Sequence, residues 1–310
     1  MLSRIAESMF WIGRYVERAE DTARLLQTHL RLLVEDTSPA AEVDACRYLL
    51  ALMSVDHIEN PTHADLLRVL GYDRREPTSI YSSWSAARDN ARRAREVIPL
   101  DLWESINTTW QQLPPTPFGV AGAHTFLNWS RERSALFSGI ARGIMVRDDG
   151  WQFMSMGRSL EQVDMTSRMV ASASLTGGST KWPSVLRGCG GHDAFLRTYR
   201  GVHTDREAAQ FLILDARFPR SIMHGLVAAS DSLRKITHNN TLAARQSEFA
   251  ARALGQLRAR LEYAEVSDLL DHLDAEMTRV QDVAAQVTSA VATNYFAAAD
   301  PTAWITEGTR

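Results

Sequence analysis

The sequence predicts an all-α fold, a helical bundle, and three observations lead to this prediction. Apolar residues recur at spacings of three and four, which is the period of one helix face. Alternating apolar and polar runs rich in β-branched residues are nearly absent from the sequence. Proline and glycine fall mostly between the helical stretches, at Pro61 and within 71–77, 114–122, 177–183 and 188–191. With ordinary helix lengths, the chain accommodates about ten to twelve helices.

The helical period is clearest near the two ends of the chain. In the first segment, one face of a helix carries Ile12, Val16, Ala19, Ala23 and Leu26. Towards the other end, the same spacing joins Leu254, Leu257, Leu261 and Ala264, and then Met277, Val280, Val283, Val287 and Val291. Such apolar stripes are typical of helices that pack against a common core.

Composition limits the class of protein. The 310 residues suit one large domain or two ordinary ones, and we treat 1–310 as a single domain. The net charge of −3 argues against a nucleic-acid-binding protein, and no apolar stretch approaches the eighteen residues of a membrane helix. Cys46 and Cys189 lie far apart, which disfavours a disulfide framework or a metal cluster and favours the reducing cytoplasm.

A stretch near the start of the chain returns 144 residues later. The segments are "GRYVERAEDTAR" (13–24) and "GRSLEQVDMTSR" (157–168). The matching positions are Gly13 and Gly157, Arg14 and Arg158, Glu17 and Glu161, Thr22 and Thr166, and Arg24 and Arg168, while Glu20 meets Asp164 with its charge kept. An internal repeat of this kind indicates a fold built from two related units.

A second motif returns at a shift of 142. "DRREPTSI" (73–80) matches "DARFPRSI" (215–222) at five positions, and the match continues along the segment that follows. Two motifs in the same order predict a tandem duplication, with repeats of about 3–146 and 147–305 and a pseudo-two-fold axis. Within this motif, Pro77 and Ser79 indicate a loop that leads into the first turn of a helix.

The first repeated motif predicts a charged stripe on each of two helices. At about 100° per residue, Gly13, Glu17, Glu20 and Arg24 fall within an arc of about 60°, opposite the apolar face. The second copy places Gly157, Glu161, Asp164 and Arg168 in the same way. The candidate substrate- or partner-binding residues are therefore Arg14, Glu17, Arg18, Glu20, Arg24, Arg158, Glu161, Asp164 and Arg168.

Three interpretations of the stripe are open. It is a solvated face with helix salt bridges such as Glu20–Arg24, or the two helices cross near the axis with arginines and glutamates paired across it. In the third interpretation it is a functional site, in which arginines bind a carboxylate or phosphate. The second and third are compatible. A glycine inside a helix costs about 1 kcal/mol against alanine, which indicates a close approach by backbone or ligand.

No recognisable motif supplies a cofactor, a metal or a nucleophile. The sequence has no GxxxxGK[ST] loop, no HExxH and no nucleophile elbow. His57 and His63 are six residues apart, near Asp56 and Glu59, but this is not a zinc spacing. We therefore predict no cofactor and no metal, and assign no catalytic residue.

Three segments resemble those of a known family. "LSRIAESMFWIGRYVERAEDTARLL" (2–26), with its Glu17-Arg18 pair, resembles the N-terminal signature of the alpha-E domain, and "FMSMGRSLEQVDMTSRMV" (153–170) is similar to the second signature. "FLILDARFPRSI" (211–222) resembles a third characteristic stretch. The resemblance covers nearly the whole chain and implies an all-helical bacterial protein. The second signature departs from the family pattern, because Gln162 follows Glu161 where an arginine is usual.

The resemblance also implies a functional setting. Alpha-E proteins occur beside, or fused to, circularly permuted ATP-grasp proteins, often with transglutaminase-like peptidases and proteasome-like hydrolases. This implies an accessory or interaction protein that works with an ATP-grasp amide or peptide ligase. Because no membrane helix is expected from the sequence, we predict no contact with membranes. The alternative is an enzyme acting on a peptide or amino-acid-like substrate. In that case Glu17 or Glu161 is the acid/base, and the motif arginines hold the anionic part of the substrate.

Overall fold

The computed structural model describes residues 2–32, 39–114, 120–175, 181–200, 204–238 and 247–296. Every regular element in these ranges is helical, which confirms the predicted all-α class. The first seven helices are α1 (Ser3–Leu32), α2 (Pro39–Leu52), α3 (His63–Leu66), α4 (Ile80–Arg93), α5 (Leu100–Gln111), α6 (Val120–Ile144) and α7 (Asp149–Leu175). They are followed by α8 (Lys181–Gly188), α9 (His192–Thr198), α10 (Asp205–Ala209), α11 (Ile222–His238), α12 (Glu248–Glu262), α13 (Val266–Asp271) and α14 (Leu273–Tyr295). The end of the second predicted repeat, after residue 296, lies outside the described residues.

The described ranges hold more helices than the ten to twelve expected. The reason is that α3, α9, α10 and α13 have seven residues or fewer, so they fall below the ordinary helix length on which the expectation rested. Two of them continue directly into π-helical turns, Leu67–Tyr72 after α3 and Gln210–Leu214 after α10. Among the described helices, none is long and apolar enough to cross a membrane.

The two long helices α1 and α7 form the centre of the bundle, and glycine lets their backbones touch. A Cβ atom added to Gly13 would lie 2.0 Å from the carbonyl oxygen of Met154. A Cβ atom added to Gly157 would lie 2.1 Å from the carbonyl oxygen of Phe10. No side chain fits into either gap, so both positions require glycine. The close approach predicted for these glycines is therefore an approach of backbone to backbone.

Apolar faces surround this central pair. Helices α4 and α6 pack against α1, while α11 and α14 pack against α7. The face predicted on the first helix is buried throughout, since its five residues Ile12, Val16, Ala19, Ala23 and Leu26 are at most 3% exposed. The predicted stripes of α12 and α14 are also buried, except that Val283 is half-buried. Ala264, which lies two residues beyond the end of α12, is half-buried as well. The packing of these faces fixes how the central helices cross.

The motif "DRREPTSI" builds the turn that leads into α4. The carboxylate of Asp73 accepts a hydrogen bond of 2.8 Å from the backbone N–H of Arg75, and the Ser79 hydroxyl donates to the Asp73 carbonyl at 2.6 Å. Ser79 is the N-cap of α4 and accepts a hydrogen bond from the backbone N–H of Ser82. These bonds satisfy backbone groups that the start of a helix leaves unpaired.

The second copy of the motif makes the equivalent bonds before α11. Asp215 accepts from the backbone N–H of Arg217 at 2.9 Å, and the Ser221 hydroxyl donates to the Asp215 carbonyl at 2.7 Å. The Ser221 oxygen also accepts from the backbone N–H of His224. The organising role expected for this motif agrees with the observed bonds in both copies.

Candidate functional site

Glu17 of α1 is held by two arginines at the crossing of the central helices. Its carboxylate is 1% exposed, and Oε2 lies 2.6 Å from Nε of Arg158 on α7. The other oxygen, Oε1, lies 3.0 Å from Nη2 of Arg220. Because a buried charge must be paired to be tolerated, these two arginines are what allow a carboxylate at this position.

Glu161 of α7 is held in the reciprocal way by α1. It is also 1% exposed, with Oε2 2.5 Å from Nε of Arg14 and Oε1 2.6 Å from Nε of Arg18. The Arg14–Glu161 and Arg158–Glu17 pairs join equivalent positions of the repeated motif, each 144 residues from its counterpart. The stripes of the two helices therefore face each other across the crossing.

The arginines keep both glutamates ionised. Burial alone would raise the pKa of Glu17, but the positive charges of Arg158 and Arg220 outweigh it and lower that pKa to about 2. Burial opposes ionisation of Glu161 as well, and Arg14 and Arg18 again lower the pKa. A general acid or base works best with a pKa near the working pH. Neither glutamate is therefore placed to exchange protons near neutral pH.

Arg220 takes the place that Gln162 leaves open. In the first stripe, Arg18 is the second arginine that binds Glu161. The equivalent position of the second stripe is Gln162, which has no charge to bind Glu17 in the same way. Arg220, from the loop before α11, instead reaches Glu17, and it also contacts Glu20 at 3.1 Å and Asp21. Arg220 was not among the predicted site residues, because the motif that contains it indicated only a structural turn. The sequence feature that could have identified Arg220 is the difference between the two copies of the motif, since the first copy has Thr78 at the matching position.

The outer ends of the stripes carry one further ion pair each. Arg24 binds Glu20 at 2.7 Å, in the i,i+4 arrangement that the sequence predicted. Arg168 binds Asp164 at 3.1 Å and also donates to the Leu52 carbonyl at 2.8 Å. All nine predicted site residues therefore take part in ion pairs of the two central helices.

The burial and pairing of these residues distinguish a solvated face from ion pairs across the helix crossing. The solvated-face interpretation is wrong, because Arg14, Glu17, Glu20 and Glu161 are buried. Pairing across the helix crossing is what the structure contains. Binding of a substrate or partner by the same residues stays a prediction.

A cavity of about 380 Å³ opens beside the second stripe. Its lining includes five of the predicted site residues: Arg14, Arg18, Glu161, Asp164 and Arg168. Asp164 differs from the buried glutamates, because burial raises its pKa and the attraction of Arg168 does not compensate. We refer to this space as the stripe cavity.

A second pocket, of about 260 Å³, is lined by four arginines that come from three helices. They are Arg24 and Arg31 of α1, Arg131 of α6 and Arg187 of α8, and we call this space the arginine pocket. Within the described parts of the chain, only Arg24 of these four forms an ion pair. Asp193 at the rim is the one carboxylate in the described lining. The pocket therefore has an excess of positive charge that an anion would neutralise.

The arginine pocket is shaped by specific contacts. Arg131 donates a hydrogen bond of 2.6 Å to Oε1 of Gln27, and its pKa is lowered by burial and by repulsion from Arg24. Gly190 has a φ of +67°, and a Cβ atom there would lie 2.6 Å from Nη1 of Arg24. Only glycine adopts this backbone readily while leaving room for the guanidinium.

The comparison with known families decides the affiliation of the chain. Residues 1–296 match Alpha-E, described as a predicted alpha-helical domain with a conserved ER motif. This chain belongs to the Alpha-E family. Relatives of this Alpha-E chain include an uncharacterized protein of Mycobacterium bovis and two of Mycobacterium tuberculosis, each 23% identical over 90% of the chain. The chain spans about a third (36%) of their length, and no solved structure matches it.

The structure gives a physical reason for an ER pair in an Alpha-E protein. Glu17 and Arg18 are adjacent in sequence but bind opposite charges on α7: Glu17 binds Arg158, and Arg18 binds Glu161. One dipeptide therefore supplies an acceptor and a donor to the same helix crossing. The pair orients α1 against α7 as well as stabilising it.

Proposed function

We propose that this Alpha-E protein is an accessory module of a circularly permuted ATP-grasp amide ligase, and that it holds a carboxylate or phosphate group in the arginine pocket. The arginine pocket is the observation that carries the proposal. Arg31, Arg131 and Arg187 converge there without an ion-pair partner among the described residues. Guanidinium groups bind carboxylate and phosphate with two parallel hydrogen bonds.

The chemistry of an amide ligase fits such a pocket. Substrates of amide-bond formation carry carboxylates, and the ATP-grasp proteins associated with the family use nucleoside triphosphates. A module that binds an anionic group can hold a peptide substrate close to the ligase. A transglutaminase-like protein is the second proposed partner, and the cytoplasm is the proposed location, since both described cysteines are free thiols.

The relatives support a role beside other protein parts. They are nearly three times as long as the segment that they share with this chain, since that segment covers 36% of their length. In those proteins the helical region is joined to a much longer chain. A helical region that is joined to further protein parts in its relatives suits an accessory role.

The tandem duplication belongs to the same proposal. Its support is a set of reciprocal contacts, which join equivalent positions of the two halves. Gly13 approaches Met154 as Gly157 approaches Phe10, and the Thr22 and Thr166 hydroxyls donate to the carbonyls of Thr78 and Arg220. Two related halves would then share one axis at the helix crossing.

Association with the ligase tests the proposed function. The full chain is mixed with the circularly permuted ATP-grasp protein of the same organism, and the mixture is analysed by size-exclusion chromatography with light scattering. We expect a complex, and we expect the peptide-ligating activity to rise when the complex forms. Two proteins that elute separately, with a ligase activity independent of this chain, would contradict the accessory role.

A pair of matched variants tests the pocket. In Arg131→Gln the pocket loses one of its four arginines, and we expect weaker binding of a carboxylate-bearing peptide. Arg197→Gln is the control, because Arg197 is exposed on α9 and does not line the arginine pocket. Equal loss of binding in both proteins would show that general charge, and not the pocket, attracts the peptide.

The alternative of an enzyme has one observation in its favour, at Asp164. Its raised pKa and its position in the stripe cavity suit a general acid better than the clamped glutamates do. Arg168, Arg14 and Arg18 in the same cavity would then bind the anionic part of the substrate. Turnover of a peptide by the isolated protein, abolished in Asp164→Asn, would favour the enzyme.

A further inference from the structure

Three potential metal ligands converge outside the charged stripes. The ring nitrogens His29 Nε2 and His63 Nδ1 lie 3.0 Å apart, and the Cys46 sulfur lies 3.7 Å from the first and 3.4 Å from the second. They come from α1, α2 and the start of α3, and all three are buried or nearly so. The sequence predicted no metal site, and the histidine pair considered there, His57 and His63, does not have a zinc spacing. His57, Asp56 and Glu59 are exposed and do not join this cluster in the described structure.

We propose that His29, Cys46 and His63 form a binding site for a divalent transition-metal ion, Zn²⁺, with a fourth position open to water or another ligand. Zinc binds histidine nitrogen at about 2.0–2.1 Å and cysteine sulfur at about 2.3 Å, in tetrahedral geometry. Ligand atoms on such a tetrahedron lie about 3.3 Å apart for two nitrogens and about 3.6 Å apart for nitrogen and sulfur. The three observed separations lie close to these values.

A carboxylate, that of Glu42, lies next to the proposed ligand His63. Oε1 of Glu42 lies 3.3 Å from Nε2 of His63 and accepts a hydrogen bond of 3.1 Å from the backbone N–H of the same residue. Metal-binding histidines commonly donate their second ring N–H to a carboxylate, which fixes the tautomer that binds the metal. A proton on Nε2 of His63 would leave the lone pair of Nδ1 free to bind the metal.

Zinc binding at these three residues would release one proton. Zinc binds the neutral form of an imidazole, so both histidines would supply a ring-nitrogen lone pair. Cys46 is a buried free thiol, and zinc binds the thiolate form. Binding of Zn²⁺ would form the sulfur–zinc bond and release that thiol proton to solvent.

The ordinary alternative is a buried hydrogen-bond cluster without a metal. A neutral His29 can donate from Nε2 to Nδ1 of His63, with the Cys46 thiol beside them. This accounts for the 3.0 Å separation of the nitrogens. It does not require the sulfur to face both rings, which a shared ion does. Metal titration separates the two.

Cobalt substitution tests the site in the full chain. The protein is freed of metal with a chelator and titrated with CoCl₂, and tetrahedral cobalt bound to a thiolate gives a charge-transfer band and visible d–d bands. We expect one equivalent of cobalt, displaced by one equivalent of Zn²⁺. Cys46→Ser should lose the charge-transfer band, while Cys189→Ser should keep it. Cys189 is the matched control, being buried with Met169 Sδ as its sulfur neighbour at 3.9 Å.

Two further measurements do not depend on whether Cys46→Ser folds. X-ray absorption of the zinc-loaded wild-type protein should show one sulfur at about 2.3 Å and nitrogen neighbours at about 2.0 Å. Glu42→Gln should weaken zinc binding about 10–100-fold, measured by competition with a chromophoric chelator. A wild-type chain that binds no cobalt, or a zinc shell without sulfur, would overturn the proposal. The accessory role at the arginine pocket would be unaffected by either result.

Discussion

Arg220 and Glu17 form an ion pair that joins the loop before α11 to the centre of the helix crossing. Nη2 of Arg220 lies 3.0 Å from Oε1 of Glu17, and the same guanidinium contacts Glu20 and Asp21. Three carboxylates on one helix are thus gathered around one arginine from another part of the chain. The second stripe has Gln162 at the position that matches Arg18, so Arg220 supplies the second arginine for Glu17. Charge balance at the crossing therefore depends on a residue outside the two stripes.

Truncation of Glu17 should show that the stripe is a buried network. In Glu17→Ala, Arg158 and Arg220 lose their carboxylate and stay buried, which destabilises the fold by about 3–5 kcal/mol. Chemical denaturation measures the free energy of unfolding. Glu248→Ala is the control, because Glu248 forms an exposed i,i+4 pair with Arg252 and should change stability by no more than about 0.5 kcal/mol. Equal, small effects of the two changes would mean that the stripe is solvated.

Stability should fall in acid because of Glu17. Its pKa is about 2 in the folded protein, against 4.5 for the unfolded reference, so its ionised form favours the folded state. This contribution is complete above about pH 4.5 and is lost as the pH falls towards 2. At about 1.4 kcal/mol for each unit of pKa, it amounts to about 3 kcal/mol. Denaturation measured from pH 7 to pH 2 should show a smaller acid loss in Glu17→Gln than in the wild type.

Asp164 should affect the pH dependence of stability in the opposite direction to Glu17. Because burial raises its folded pKa, its protonation favours the folded state as the pH falls. In Asp164→Asn that compensation is absent, so the acid loss of stability should be as steep as in the wild type or steeper. A shallower acid loss in this variant would be inconsistent with the assigned pKa directions.

Gly13→Ala should destabilise the protein although alanine favours helices. The new Cβ would lie 2.0 Å from the Met154 carbonyl oxygen, so α1 and α7 must separate. Overpacking costs about 1–3 kcal/mol and occasionally more, and so short a contact with backbone belongs at the upper end of that range. The cost therefore exceeds the roughly 1 kcal/mol that alanine gains in helix propensity. Gly255→Ala on α12 is the control, since nothing lies within 4 Å of its added Cβ. Thermal unfolding should give a lower Tm for the first variant and an equal or higher Tm for the second.

Much of the fold could be predicted from the sequence, because it depends on local pattern. The spacing of Ile12, Val16 and Leu26 identified a helix face that is buried in the structure. The glycine at position 13 indicated a close approach. Glycine weakens a helix, so its use inside one indicates that a larger side chain would not fit. Pairing between Glu17 and the second stripe was one of three interpretations, and the crossing geometry was needed to select it.

The remaining features depend on segments that meet only after folding. The arginine pocket combines Arg131 of α6 with Arg187 of α8, and no spacing in the sequence relates them. His29, Cys46 and His63 lie on three helices at intervals that match no metal-binding motif. In each case the contacts are set by how helices pack, and packing depends on the whole core. Sequence pattern indicates which face of a helix is buried, but not which helix will lie opposite.

The last prediction concerns the exchange between Arg220 and Gln162. In Arg220→Thr, Glu17 loses one of its two arginines and Asp21 loses its ion-pair partner, so stability should fall by about 3–5 kcal/mol. Adding Gln162→Arg would give the second stripe the residue that Arg18 provides in the first. If the two halves are related by duplication, this second change should restore part of the lost stability.

The control for this exchange is Gln162→Arg alone. With Arg220 in place, Glu17 already has two arginines, and a third buried charge has no partner, so the single change should destabilise the protein. The double-mutant cycle, measured by urea denaturation, isolates the coupling between the two positions. A favourable coupling means that position 162 can clamp Glu17 as position 18 clamps Glu161. If the two changes are additive, the two stripes are not interchangeable, and the proposed relation between the halves fails at the helix crossing.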